Sequence, residues 1–323
     1  MGHAYPSLRV DNDEFMARAE FDNDWDVAAL AAETQMKTRL WCRPEENTFT
    51  MATAAIRSIL EKQPELLEEI DVVVVASGTT MPVVHAPESD YTGMADLAMI
   101  TLRDLGRTHA LGIDVKGCYC TGFLRGLQVA DGLLANPNYR AALVVATEQG
   151  SRFSIADTNR SKFCFIMSDA AGAAVVRRVA EPSGRGLIDH VGYTAAQLFD
   201  WVGIGDDAKS TVMRGSRAGQ ATHSMLVECA RRLMARNGLT MDGVDWLLPI
   251  QTHAGIVEGV RQELGCPTER LIWNGGETGF AGSASIPSAF TEATADGRIQ
   301  PGELVMSIAV GAGMNCAGAL WRA

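Results

Sequence analysis

The chain has 323 residues, 47% of them hydrophobic and 21% charged, and its 39 Asp and Glu against 28 Lys and Arg give a formal net charge of −11. This apolar content is enough to fill a substantial core, which excludes an intrinsically disordered protein. The acidic balance argues against a nucleic-acid-binding protein, because neutralising phosphates requires clustered Lys and Arg. No apolar run approaches the ~20 residues of a membrane span, and the polar N-terminus is unlike a secretory signal, so we expect a cytoplasmic protein that does not enter a membrane.

The 7 cysteines are spread through the chain and form neither a CxxC pair nor a Cys/His spacing typical of a metal site. This pattern argues against a disulfide framework and against bound zinc. We expect neither a metal nor a tightly bound organic cofactor.

The predicted elements alternate short β-branched runs with helical stretches, which is typical of an α/β fold. In the first half we predict helices over 50–62 and 122–134, and strands over 72–76, 113–115, 141–147 and 172–179. In the second half we predict helices over 221–237 and 283–294, and strands over 246–250, 270–273, 303–310 and 316–322. The same order of elements therefore occurs twice.

This repetition predicts two related α/β halves, residues 1–180 and 181–323, joined by a hinge at 181–184. A functional cleft is expected between the halves. The segments 14–46 and 150–168 have no counterpart in the repeat and are interpreted as insertions that cover the cleft.

A cysteine-containing turn between the predicted strand 113–115 and the predicted helix carries the strongest chemical signal. It contains Cys118 and Cys120, and the helix begins at about Thr121. The free N–H groups at a helix N-terminus stabilise a thiolate and an oxyanion, so this position suits a cysteine that becomes acylated. The alternative is that both are ordinary buried thiols.

Two further candidate sites lie in the second half, each directly after a predicted strand. Gly311-Ala312-Gly313 lets the backbone approach a ligand, although a simple strand turn explains it equally well. His253 follows the strand 246–250, where ligand sites of α/β proteins gather, and the alternative is a structural histidine.

Together these segments resemble the beta-ketoacyl-ACP (acyl carrier protein) synthase III branch of the thiolase-like condensing enzymes. Five segments carry the resemblance: 34–39 (TQMKTR) is similar to TGI-x-x-R, 70–80 to an ID-hydrophobic-TT strand, Cys120-Thr121-Gly122-Phe123 to C-x-G-F, 167–173 to F-x-D-G-A-G-A, and 311–313 to G-x-G. The resemblance implies a thiolase-like fold of layers α-β-α-β-α and a homodimer. It also implies a cysteine acylated by acyl-CoA or acyl-ACP, with the backbone N–H of Ala312 contributing to the oxyanion hole.

The resemblance breaks down at three positions. The cysteine turn is one residue longer than in the family; alignment on Gly122-Phe123 and the helix selects Cys120 as the nucleophile, with Cys118 second. The family's catalytic His aligns with Ile250, and its catalytic Asn aligns with Phe280. His253 lies three positions after the expected histidine.

Three functions remain open on this reading. The first is a condensing enzyme of fatty-acid, polyketide or related secondary metabolism, in which His253 replaces the missing histidine. The second is an acyltransferase that moves the acyl group from Cys120 to an alcohol or amine, with His253 as general base. The third is a non-catalytic condensing-enzyme-like subunit, which the retained cysteine turn disfavours.

The resemblance also suggests substrate contacts. Ile250 and Phe280 are expected to line the substrate site. Arg39, Trp41 and Arg160 are expected to hold the adenine and phosphates of coenzyme A by stacking and charge. The alternative is that the arginines are merely solvated, as loop arginines usually are. His85 lies in a loop that in the family reaches the partner subunit's acyl pocket, although a plain surface position explains it as well.

Overall fold

The computed structural model describes residues 1–18, 25–79, 96–116, 119–154, 162–179, 184–204 and 211–323. The strands are β1 (Gly2–Ala4), β2 (Leu8–Asp11), β3 (Thr38–Trp41), β4 (Ile70–Ala76), β5 (Leu111–Val115), β6 (Ala141–Gln149), β7 (Asp169–Arg177), β8 (Gly186–Thr194), β9 (Val202–Ile204), β10 (Thr211–Met213), β11 (Trp246–Pro249), β12 (Leu304–Gly311) and β13 (Asn315–Arg322). The α-helices are α1 (Asn12–Arg18), α2 (Val27–Thr34), α3 (Thr48–Leu60), α4 (Leu66–Glu69), α5 (Leu97–Asp104), α6 (Gly122–Leu134), α7 (Ser151–Ser154), α8 (Gly215–Asn237), α9 (Ala254–Leu264), α10 (Gly275–Thr278) and α11 (Ser285–Ala295). Short 3₁₀ segments lie at Tyr119–Thr121, Lys162–Ile166, Ala196–Leu198, Met241–Gly243, Thr268–Arg270 and Gly282–Ala284.

The first sheet has the strand order β1-β7-β6-β4-β5, in which β4 runs parallel to β5 and β6 while β7 is antiparallel to β6. In its strand β4, residues 72–76 form an unbroken apolar run because both faces of the sheet are covered. Val72 and Val74 pack into the same core as α6, whereas Val73 and Val75 pack into a second core with α3. Because successive side chains of a strand point to opposite faces of the sheet, one set packs against the α6 layer and the other against the α3 layer.

The second sheet has the order β11-β12-β13-β8, in which β11 and β12 are parallel while β13 is antiparallel to both β12 and β8. The strands of the first sheet lie between residues 2 and 177, and those of the second between 186 and 322. Residues 180–183, which include most of the expected hinge, lie outside the described residues.

The helix α6 lies between the two sheets. Its residue Arg125 donates a hydrogen bond to the carbonyl oxygen of Cys316 in β13 (3.0 Å), and Phe123 stacks on Trp321 with ring centroids 6.3 Å apart. With α11 beside α6, α3 and α5 outside the first sheet, and α8 and α9 outside the second, the predicted α-β-α-β-α layering is confirmed.

The prediction of a strand at 270–273 is wrong, because no strand forms in this segment. Only a single bridge forms there, between Leu247 and Leu271. The indole N–H of Trp273 donates to the carbonyl oxygen of Thr252 (2.8 Å), and the backbone N–H of Asn274 donates to the Gln251 side chain (2.7 Å). These bonds direct the segment toward the loop after β11, so it does not continue along the sheet.

Within the described ranges, no helix combines the length and apolar character that crossing a bilayer requires.

Candidate active site

The cysteine turn contains a residue in a conformation that L-amino acids rarely adopt. Tyr119 has φ = 63° and begins the 3₁₀ segment that leads into α6. Such a conformation costs about 1–3 kcal/mol and persists only where the surroundings enforce it. A Cβ atom at Gly78 or at Gly282 would lie 2.5 Å or 2.9 Å from the Tyr119 ring, so both positions leave room for that ring. The phenol of Tyr119 is also buried, which raises its pKa well above the ordinary value.

This turn places Cys120 directly before the N-terminal end of α6, as predicted. Its side chain is buried, with 8% of the residue exposed, and it lines the cavity described below. A thiolate at this place is favoured by the unsatisfied N–H groups of the first helical turn. Cys118, the second choice for the nucleophile, lies outside the described residues.

A cavity of about 560 Å³ lies between the two halves of the chain and contains the Cys120 side chain. The segments predicted to cover the cleft both contribute to it, Leu30, Glu33 and Thr34 from one and Lys162, Phe163 and Ile166 from the other. The second half supplies Val202, Met213, Gly215, Ser216, Gly219, Gln220, Thr222, Ile250, Thr252, His253, Ile256, Phe280, Val310, Gly311, Ala312 and Met314. The wall is mainly apolar, which suits an acyl chain.

Ile250 and Phe280 occupy the positions at which the family resemblance places a catalytic His and a catalytic Asn. Both are 1% exposed and line the cavity together with Cys120. Neither side chain carries a hydrogen-bond donor. The tertiary structure therefore brings both positions to the cavity as apolar groups, and their contact with a substrate stays a prediction.

His253 lines the same cavity. It precedes α9 in an extended conformation (φ = −66°, ψ = 151°), and its Nδ1 atom is buried without a hydrogen-bond partner among the described residues. Burial lowers the pKa of His253, and the negative charge of Glu33 acts in the opposite direction. A neutral imidazole in a cavity that also contains a cysteine has the chemistry of a general base.

The loop that carries His253 is held by the buried side chain of Gln251. Its amide nitrogen donates to the carbonyl oxygens of Pro249 (2.7 Å) and Ile272 (3.0 Å), and its amide oxygen accepts from the backbone N–H of Asn274 (2.7 Å). Because all of these partners are buried or partly buried, the start of α9 has a defined position relative to β11.

The turn after β12 brings backbone to the cavity, as the glycine pattern predicts. Gly311, Ala312 and Met314 line the cavity, and the backbone N–H of Gly313 donates to the carbonyl oxygen of Val202 (3.0 Å). The placement of Ala312 is compatible with a backbone contribution to an oxyanion hole, which remains a prediction.

Sequence reasoning missed two buried carboxyl groups near the site. Glu148 accepts hydrogen bonds from Gly78, Thr79 and Ser283, and burial raises its pKa to about 7. Asp169 accepts from the backbone N–H and the hydroxyl of Ser151 (both 2.7 Å), and burial raises its pKa to about 6. The available signal was the position of Glu148 in β6, where a carboxyl group directly continues a long run of apolar residues and Thr147.

Glu33 and Lys162 were missed as well. Both line the cavity and both are exposed. They lie far from Cys120 in the chain, and no local pattern marks them, so only the packed structure identifies them.

The expectation that Arg39 and Trp41 hold coenzyme A does not fit their positions. Arg39 is 0% exposed; its guanidinium lies 4.7 Å from the ring centroid of Phe15 and 4.3 Å from that of Phe165, and its Nε donates to the Phe165 carbonyl oxygen (2.7 Å). The buried Trp41 indole donates to the carbonyl oxygen of Met167 (3.0 Å). Both side chains fill the core instead of facing the cavity.

The other expected substrate contacts, His85 and Arg160, lie outside the described residues. Among the residues that the structure does describe, no group of three or more His, Cys, Asp or Glu side chains is placed to hold a metal ion.

Comparison with known proteins identifies relatives along the whole chain. The family models described as 3-oxoacyl-[acyl-carrier-protein (ACP)] synthase III and as its C-terminal part match residues 113–194 and 234–323. The chain is 30% identical to the beta-ketoacyl-[acyl-carrier-protein] synthase III of Methylococcus capsulatus over 330 residues, which cover 99% of this chain and 97% of the relative.

Solved structures show the same fold. The priming beta-ketosynthase from the R1128 polyketide biosynthetic pathway superposes with a TM-score of 0.85 at 27% identity, covering 99% of this chain and 94% of that one. The 3-oxoacyl-[acyl-carrier-protein] synthase III of Aquifex aeolicus VF5 superposes with a TM-score of 0.85 at 23% identity, covering 100% and 98%. The predicted fold is confirmed by these superpositions.

Proposed function

Because the chain belongs to the beta-ketoacyl-[acyl-carrier-protein] synthase III family and is therefore an acyltransferase of the condensing type, we propose that Cys120 is the residue that carries the acyl group. The acyl donor is acyl-CoA or acyl-ACP, and the acyl group is then condensed with an extender thioester in fatty-acid, polyketide or related secondary metabolism. The observation that carries this proposal is the position of Cys120, at the N-terminal end of α6 and inside the cavity between the halves.

The first half-reaction requires few groups, and the cavity contains candidates for each. The Cys120 thiolate attacks the thioester carbonyl, and the oxyanion that forms accepts hydrogen bonds from backbone N–H groups, for which we propose those of Cys120 and Ala312. When the intermediate collapses, the bond to the donor sulfur breaks, and the donor leaves as a thiolate that takes a proton from solvent. The acyl group remains on Cys120 in the apolar part of the cavity.

Condensation then requires stabilisation of an enolate formed from the extender. His253 is the imidazole that lines the cavity, and we assign it this role in place of the histidine that aligns with Ile250. Losing a single oxyanion donor typically lowers a rate ~10²–10³-fold, so the apolar Ile250 and Phe280 predict slow decarboxylation of a malonyl thioester.

The same two side chains favour a second candidate function. A transfer of the acyl group from Cys120 to an alcohol or amine needs no enolate, and a general base is sufficient. His253, whose pKa is lowered by burial, suits that role because it is neutral near pH 7.

Intact-protein mass spectrometry after incubation with a panel of acyl-CoA and acyl-ACP donors tests the proposal. We expect an acyl adduct that is lost in Cys120→Ala and retained in Cys118→Ala. The reverse result would identify Cys118 as the nucleophile. An absence of adducts from all donors would support a non-catalytic subunit. A carbon–carbon product with malonyl-CoA or malonyl-ACP supports condensation, whereas acyl transfer to an alcohol or amine without release of CO₂ supports the second candidate.

Homodimeric assembly and a cytoplasmic location are further parts of this proposal and rest on family membership. In such a dimer His85 would reach the acyl pocket of the partner subunit, and Arg160 would contact the donor. Light scattering coupled to size-exclusion chromatography measures the assembly, and a monomer would remove the proposed role of His85.

A further inference from the structure

We propose that Glu33 is the positioning residue of His253, so that the cavity contains a Cys120–His253–Glu33 arrangement in which the carboxylate stabilises the imidazolium formed during acyl transfer. This inference rests on the proposed function, since it assigns the proton transfer in the second half-reaction. Glu33 belongs to the first half of the chain and acts through His253, which belongs to the second half.

The first support is the approach of two helices. The C-terminal end of α2, which carries Glu33, packs against the N-terminal end of α9, which follows His253. The two meet at Gly255: a Cβ atom there would lie 3.4 Å from His253 Nδ1 and 3.9 Å from the carbonyl oxygen of Glu33. A side chain at this position would therefore enter the space between the imidazole and α2.

The second support is that both side chains are available to each other. The Nδ1 atom of His253 is buried without a hydrogen bond. The Glu33 carboxylate makes no hydrogen bond or ion pair within the described ranges, so the two side chains are not yet in hydrogen-bond contact in this structure. Both side chains line the cavity that holds Cys120. In other acyl-transfer enzymes a histidine acts as the base for the nucleophile, and a carboxylate orients that histidine. The same three kinds of side chain line one cavity in this protein.

The third support is electrostatic. Burial lowers the pKa of His253 and the charge of Glu33 raises it, so the carboxylate acts on the imidazolium form. Among the described residues, the other titratable side chains that line the cavity are Cys120 and Lys162. His223 of α8 faces the Glu263 carboxylate instead, with its Nε2 atom 3.6 Å away.

In this arrangement the proton passes from the acceptor to His253 and then to the departing sulfur. His253 takes the proton from the O–H or N–H of the acceptor as that atom attacks the carbonyl carbon of acyl-Cys120. The new C–O or C–N bond forms, the C–S bond breaks, and the sulfur leaves as a thiolate that accepts the proton from the imidazolium. Glu33 does not change its protonation state, because it acts only through its charge.

The direct test is the titration of His253 by NMR in protein with isotope-labelled histidine, assigned with His253→Gln. We expect the pKa of His253 to fall in Glu33→Gln and to be retained in Glu33→Asp. Glu65→Gln, which removes an exposed carboxylate that does not line the cavity, controls for net charge. An unchanged pKa in Glu33→Gln would overturn the proposal.

The kinetic test follows the loss of acyl-Cys120 to n-butanol and to n-butylamine between pH 5 and pH 9. In Glu33→Gln the acid limb of the pH–rate profile should move to lower pH together with the His253 titration. The rate at the plateau of that profile should fall about tenfold, which is part of the ~10²–10⁴-fold acceleration that a general base contributes. Because Glu33 is exposed, added salt should reduce its effect. A shifted pKa with an unchanged rate profile would also overturn the proposal. An enzyme that never forms acyl-Cys120 contradicts the proposed function instead, and the NMR result then decides the pairing separately.

Discussion

The hydroxyl group of Ser283 donates a hydrogen bond to the carboxyl group of Glu148, with 2.5 Å between the oxygens and 135 positions between the residues. The same carboxyl group accepts from the backbone N–H groups of Gly78 (3.0 Å) and Thr79 (3.1 Å). Ser283 in turn lies against the first residue of α6, since a Cβ atom at Gly122 would be 3.0 Å from the Ser283 Cβ. One buried carboxyl group thus ties the second half of the chain to the strands behind the cysteine turn.

This carboxyl group should make stability depend on pH. Burial raises the pKa of Glu148 from 4.5 to about 7, so between these values the unfolded chain releases the proton while the folded chain keeps it. Its contribution to the free energy of unfolding is therefore present below pH 4.5 and is lost as the pH rises to about 7. Thermal unfolding midpoints between pH 4.5 and pH 8 should fall with pH less steeply in Glu148→Gln than in the wild type.

Asp169 supplies the internal comparison for that experiment. Burial raises the pKa of Asp169 from 3.8 to about 6. Its contribution to stability therefore also falls as the pH rises, but over a lower pH range than that of Glu148. Glu148→Gln should therefore keep the pH dependence that Asp169 contributes below about pH 6 and lose the dependence between pH 6 and pH 7. Parallel curves for the wild type and Glu148→Gln would contradict the raised pKa.

Restoring hydrogen-bond donors at the two apolar positions should increase decarboxylation. In the double variant Ile250→His with Phe280→Asn, we expect the release of CO₂ from a malonyl thioester to rise by about 10²-fold or more, the amount typical of one oxyanion donor. Both sites are 1% exposed, so the new polar groups require partners within the cavity and some stability is lost.

Radiolabelled malonyl-CoA and malonyl-ACP measure that release directly. The double variant Ile250→Leu with Phe280→Leu changes the same sites without adding donors and should leave the rate at the wild-type level. Equal rates in the two double variants would show that donors at these positions do not limit the reaction.

A methyl group at the first residue of α6 should disturb the nucleophile. The Cβ atom of Gly122→Ala would lie 2.9 Å from the Ala76 Cβ and 3.0 Å from the Ser283 Cβ, distances that force backbone to move. Such overpacking typically costs about 1–3 kcal/mol, and the displaced helix start carries Cys120 with it. We expect a lower melting temperature and slower acylation of Cys120.

Gly132→Ala in the same helix is the matched control. Nothing lies within 4 Å of a Cβ atom at that position, and alanine favours the helix by up to ~1 kcal/mol over glycine. This variant should be as stable as the wild type or more stable, with unchanged acylation. Destabilisation of both variants alike would show that α6 tolerates no substitution, whatever the contact.

Arg39 should contribute to stability and not to the binding of the acyl donor. Arg39→Lys loses the planar contacts with Phe15 and Phe165 and the hydrogen bonds to the Phe165 carbonyl oxygen and the Asn12 side chain. We expect the free energy of unfolding to fall by roughly 2–3 kcal/mol, the value of hydrogen bonds made by a charged group.

The KM for acyl-CoA should stay unchanged in Arg39→Lys, because the side chain does not line the cavity. Urea unfolding measures the first quantity and steady-state kinetics the second. A raised KM with unchanged stability would restore the expected contact between Arg39 and coenzyme A.

The elements that were predicted well are those whose pattern is local and long. The helix predicted at 122–134 has the bounds of α6, and the apolar run at 72–76 lies within β4. The strand predicted at 270–273 failed because side-chain and backbone contacts with the loop after β11 outweigh the β propensity of a four-residue segment. Arg39 was misplaced for a similar reason: its residue type suggests a charged surface contact, and only the aromatic rings packed on both sides of it show that it is buried.

The sequence by itself determined the order of the elements, the cysteine turn before a helix and the apolar character of positions 250 and 280, because each depends on residues that are neighbours in the chain. Only the tertiary structure decided that Cys120, Ile250, His253 and Phe280 line one cavity, and that Glu33 lines it with them. Glu33 lies 87 positions before Cys120, and Ile250 lies 130 positions after it. Their proximity follows from how two sheets pack on α6 and how α2 meets α9. Packing between distant segments depends on the shape of the whole core, so no local pattern encodes it.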